Sequence, residues 1–125
     1  MAETFAELYA PLLKDVFTRH AQEKLNAGAD GITCAIEYAQ QGKPEFTLAF
    51  LLLINLSEEE KRELLAYSYE QRAKLSEEKA EALNAQFQRP FPLIKLEAQN
   101  DRKIAHQIRR GLAVPNNSTK IPPVS

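Results

Sequence analysis

From Ser57 to Arg89 the chain runs without a glycine or a proline, opening on Ser-Glu-Glu-Glu and closing on Arg-Pro-Phe-Pro. A serine at this position bonds the backbone of Glu60 while the Glu60 carboxylate reaches back, so a helix starts here. Leu65, Tyr69, Ala73, Ala80, Leu83 and Phe87 keep one face roughly apolar. Unbroken to about Gln88, this helix would be roughly 46 Å long. Ser76-Glu77-Glu78-Lys79 offers a second cap that could split it. A quarter of the chain is thus committed to one rod, and the rest must fold alongside it.

The stretch before the rod is its opposite in character. TLAFLLLINL, residues 47 to 56, has only Thr47 and Asn55 as polar positions. Leucine and alanine outweigh β-branched residues, and Pro44 with Glu45 suits a first helical turn, so a buried apolar helix is expected. Its apolar reach, Phe46 to Leu56, falls well short of the roughly 20 residues that cross a bilayer. No membrane association is expected.

Toward the N-terminus, Phe5, Leu8, Leu12, Val16 and Ala21, with Leu13 and Phe17 alongside, recur at helical spacing, with Pro11 inside the run. The helix either begins near Pro11 or bends there. Asn26-Ala27-Gly28 stops it. Ile32 to Gln41 fits a helical stripe through Ile32, Ala35, Ile36 and Ala39, and fits a strand through Ile32, Cys34, Ile36 and Tyr38 equally well. Helix is the expectation, and two strands between residues 32 and 56 would make the protein α+β.

After Pro90 and Pro92 the segment Leu93 to Leu96 reads as extended or a single turn. Asn100 or Asp101 is expected to cap a short basic helix on Ile104, Ile108 and Leu112, stopped by Gly111. The expected architecture is all-α: an irregular bundle built on a long helical hairpin, with a buried apolar central helix and that short basic C-terminal helix. One domain spans residues 1–112, and the proline-containing tail 113–125 is expected to be disordered.

Chemistry is sparse. His20 and His106 are the two histidines, and neither sits in the Glu-x-x-His spacing of a di-metal bundle. Cys34 in an apolar segment reads as a small buried hydrophobe, not a nucleophile, and cannot form an internal disulfide. Gly28-Ala29-Asp30-Gly31 has the letters of a phosphate-clamping GxxG loop, but Asp30 would repel the phosphates. No cofactor, metal or catalytic residue is expected, and an enzyme or ligand carrier would need a pocket between helices with converging polar groups. Glu3 and Glu7 stand where a secretory signal would be basic and apolar, so a cytoplasmic location is expected.

Charge is the most informative feature left. Residues 1–88 hold 9 Lys/Arg against 15 Asp/Glu, net −6, whereas residues 89–125 hold 7 against 2, net +5. Arg102, Lys103, His106, Arg109 and Arg110 lie off the apolar stripe of the last helix and could meet phosphates, or could simply complement a helix terminus. Tyr67 and Tyr69, near Arg72, cannot both face one core, so one is expected inside and one at the surface. With those eight residues as the candidate contact surface, the expected function is a non-enzymatic adaptor or regulator that binds proteins and self-associates as a dimer. The alternative is nucleic-acid binding through segment 89–110.

Overall fold

A computed structural model describes residues 3–114. It contains six α-helices: α1 (Phe5–Tyr9), α2 (Asp15–Asn26), α3 (Gly31–Gln40), α4 (Pro44–Leu53), α5 (Glu58–Phe87) and α6 (Pro92–Arg109), with a 3₁₀ turn, Ala10–Leu12, after α1. There is no strand among the described residues, so the fold is all-α and residues 32–53 are helical or in the turn between α3 and α4. No described helix is long and apolar enough to cross a membrane.

Pro11 does more than bend a helix. It falls in the 3₁₀ turn, Leu13 is extended, and α2 restarts at Asp15. The restart resets the helical phase, which is why Val16 stands 59% exposed while Phe5, Tyr9 and Ala21 are buried. A similar shift occurs in α3, where small Gly31, Ala35 and Ala39 pack inward and Ile32 and Ile36 face out. Small residues let neighbouring backbones approach: a β-carbon on Gly31 would come within 2.4 Å of the Ile54 side chain.

α4 is wrapped on several sides, lying against α2, α3 and α5. Thr47 through Leu51 are all buried, and the one hydroxyl among them is satisfied by donation from Thr47 Oγ1 to the Lys43 carbonyl at 2.9 Å. Burying each of Leu48, Phe50 and Leu51 contributes roughly 1.5–3 kcal/mol. An aromatic seam closes the α2–α3–α4 side, with Tyr38 stacked on Phe46 at 4.9 Å and Phe17 edge-on to Phe46 at 5.0 Å.

Glycines in the left-handed region end three of these helices. At Gly28, Gly42 and Gly111 the amide bonds back three residues, while the next residue's amide reaches five residues back, as at Leu112 to Gln107. Gly42 is the most constrained, since a β-carbon there would meet the Arg72 backbone nitrogen at 2.8 Å.

α5 starts at the Ser57 capping box and runs 30 residues, about 45 Å, with Ser76 inside it and no interruption. Gln88, itself left-handed at φ 55°, ends it. α6 departs from the sequence expectation: it begins at Pro92, passes through Asn100 and Asp101 without a break, and is 18 residues long. Proline at the first helical position lacks only a donor that would be unpaired anyway, so the Pro-Phe-Pro stop signal for α5 is also the start signal for α6. The last helix is therefore neither short nor capped at Asp101. Val114, beyond the expected domain end at 112, is buried in the core. The expected disorder of the tail falls, for residues 115–125, outside the described residues.

Candidate interaction surface

α5 and α6 pair antiparallel, and charges hold them in register. Glu63, Glu70 and Glu77 recur every seven residues on α5, and Arg102 and Arg109 do the same on α6. Arg109 donates through Nε and both Nη atoms to Glu63 and Glu70, at 2.9 Å from Nη2 to Glu63 Oε1, and Arg102 pairs with Glu77. The hydrogen bonds of Arg109 hold the Glu63 carboxyl below its ordinary pKa. Those of Glu70 and Glu63 likewise hold the Arg109 charge on.

The third link lies inside. Arg72 grips Asp101 with two parallel hydrogen bonds of 2.9 Å and reaches Glu45 of α4 at 3.1 Å. Its guanidinium sits over the Tyr69 ring, 5.2 Å from the centroid. Burial works against the Arg72 charge, but the Asp101 hydrogen bonds and the charges of Asp101 and Glu45 outweigh it and raise its pKa. Burial pushes the Tyr69 phenol up to about 12. Three helices thus meet at one ionic knot.

These positions redistribute the eight candidate residues. Tyr69 is the inside tyrosine, 5% exposed, and Tyr67 the half-exposed one. Tyr69 offers no contact area, and Arg72, its side chain partly exposed, spends its donors on Asp101 and Glu45. Arg102 and Arg109 are at the surface but spend their donors on α5 carboxylates. Lys103, His106 and Arg110 are exposed at spacings of three and four, which puts them on one face of α6.

What sequence reasoning missed lies further along the hairpin. The bonds that tie α5 to α1, α3 and α4 fall between Glu58 and Arg72: Phe5 N–H to Glu58, Gln71 to the Gln40 carbonyl, and Arg72 to Glu45. From Lys74 to Glu97, Ala80 is the one buried residue. About 22 Å of α5 beyond Arg72 is therefore covered chiefly by α6, making an arm that leaves the body of the fold. Leu75, Phe87, Leu93 and Leu96 on this arm are 43–56% exposed. Phe87, Leu93 and Leu96 lie toward the tip of this hairpin, and Leu75 nearer its base.

At that base, where the end of α6 meets the start of the chain, Arg62, Arg109, Arg110, Glu3, Leu8 and Leu112 border an open cleft of about 510 Å³. Among the described residues no group of His, Cys, Asp or Glu could hold a metal ion, and His20 bonds the Tyr38 hydroxyl at 2.9 Å. Cys34 is half-buried against the core. Compared with known proteins, the chain matches no family model, no curated protein and no solved structure.

Proposed function

We propose that the chain is a non-enzymatic, cytoplasmic protein–protein interaction module that self-associates, and that the projecting end of the α5–α6 hairpin is its contact surface. One observation carries this reading: Leu75, Phe87, Leu93 and Leu96 stand exposed on a hairpin end that the described residues outside α5 and α6 leave without a large buried side chain. Large apolar side chains exposed along one hairpin are what protein interfaces bury, and they are costly to leave in water. Every buried side-chain polar atom among the described residues has a hydrogen-bond partner within the chain.

Light scattering across a concentration series at low and high salt tests this. A salt-resistant dimer that Leu93→Glu with Leu96→Glu converts to a monomer of unchanged helix content is expected. A wild-type monomer at every concentration would sink self-association.

The second reading, nucleic-acid binding, is favoured by the stripe Lys103, His106 and Arg110, but it loses Arg102 and Arg109 to internal pairs. It requires binding that weakens steeply with salt and disappears in a Lys103→Ala, Arg110→Ala variant. Salt-insensitive binding to duplex or single strands would remove it.

A further inference from the structure

The cleft at the base of the hairpin has an unusual excess of unspent donors. Arg109 is fixed as one wall, since its Nε and both Nη atoms are bonded to Glu63 and Glu70. The carbonyls of Gln107, Ile108 and Leu112, which would repel an anion, are already engaged. Gly111 and Leu112 amides cover Ile108 and Gln107, and the Tyr9 hydroxyl donates to the Leu112 carbonyl at 2.9 Å. Arg62 and Arg110 remain with no carboxylate partner among the described residues, against one acid, Glu3. Arg62 is half-buried, and its charge acts on the Tyr9 phenol, drawing its pKa down against the stronger upward push of burial. Beside these cations lie apolar Leu8 and Leu112, the latter 44% exposed.

We infer that this cleft binds an acidic peptide segment of a partner protein, its carboxylate on Arg62 and Arg110 and a neighbouring apolar side chain against Leu8 and Leu112. Charge complementarity selects the carboxylate, because a guanidinium fork meets a carboxylate with two parallel hydrogen bonds. The volume lies within the roughly 300–1,000 Å³ of ordinary ligand sites, and its open side lets a chain enter and leave. The inference rests on the reading of the protein as an interaction module but uses a different face from the arm.

The test is fluorescence anisotropy of the full chain with a labelled short peptide of alternating glutamate and leucine, beside a glutamine–leucine control. Saturable binding of the acidic peptide alone is expected, weakened at least tenfold by Arg62→Gln with Arg110→Gln and unchanged by Lys103→Gln with His106→Gln. Neither arginine side chain is hydrogen-bonded or ion-paired within the described fold, so circular dichroism should show the double variant folded. Equal binding of both peptides, indifference to the Arg62 and Arg110 changes, or displacement by an equal concentration of inorganic phosphate would each overturn it. Self-association is read separately by light scattering, so a dimer that binds no acidic peptide removes this site and leaves the module reading standing.

Discussion

Asp101 sits 4% exposed on α6 with its carboxylate held entirely by Arg72. Replacing it by alanine removes two of the carboxylate hydrogen bonds of Arg72 and leaves Glu45 alone to offset its charge. Breaking a fully buried pair costs about 3–5 kcal/mol. The Arg72 side chain is 31% exposed, and water can reach part of that charge, so a loss of about 2–3 kcal/mol by urea denaturation is expected. Arg72→Met with Asp101→Leu should recover much of it, since the two apolar groups leave only Glu45 without its partner, and its side chain, 42% exposed, is reached by water. Gly42 offers a second contrast. Alanine there meets both a left-handed φ of 69° and the Arg72 backbone at 2.8 Å, whereas at Gly28, φ 96°, nothing lies within 4 Å. Gly28→Ala should cost about 1–2 kcal/mol and Gly42→Ala clearly more, measured as midpoint shifts in denaturant. Titration adds two limbs. The capping hydrogen bonds of Ser57 lower Glu60, and those of Arg109 lower Glu63. A carboxyl depressed in the fold contributes stability that is present above its unfolded value, about 4.3, and disappears as pH falls through the folded one. Tyr69 runs the other way. Raised from 10 to about 12, it contributes stability that is full below pH 10 and lost as pH climbs through 12, visible as delayed tyrosinate absorbance.

Among the elements, α5 was the most legible in advance and α6 the least. Ser57 and Glu60 formed the capping box the letters promised, and Ser57→Ala should cost about 1 kcal/mol, measured by thermal melts. Ser76 did not break the helix, because a serine caps only where the preceding backbone leaves helical geometry, and nothing before it does so. α6 was misjudged through Asp101. Aspartate heads most lists of N-caps, and only the position of Arg72 across the hairpin reveals it as an ion-pair partner. The seven-residue spacing of Glu63, Glu70 and Glu77 against Arg102 and Arg109 was present in the sequence as a register signal. The −6 and +5 halves are in part that signal seen from a distance: opposite charges arranged to meet within one chain. In α2 and α3 the period was right and the stripe only half so: Phe17, Ala21, Ala35 and Ala39 face inward as expected, whereas Val16, Ile32 and Ile36 are exposed.

At the scale of the molecule, body and arm should differ in stability. Leu64, Leu65, Ala66 and Tyr69 belong to the core cluster with α1, α2, α3 and α4, whereas residues 74–97 lack any large buried side chain. Amide exchange should be slowest around residues 64–72 and markedly faster from about 78 to 95, the two halves opening separately. Uniform protection along α5 would contradict a body and an arm of unequal strength. That division could not be read in advance, because the hydrophobic pattern of α5 continues past Ser76 with alanines and Phe87, and pattern alone does not say how many neighbours surround a helix. The arm's attachment at one end also has a consequence for how such a chain can change over generations. Seven residues removed from each helix of the arm, or added to each, preserve the facing surfaces and alter its reach by about 10 Å. Arg72, Asp101 and everything below them would not move. The hairpin's length is thus a dimension along which this fold can be extended or trimmed like a telescoping rod, while the core that makes it fold stays constant.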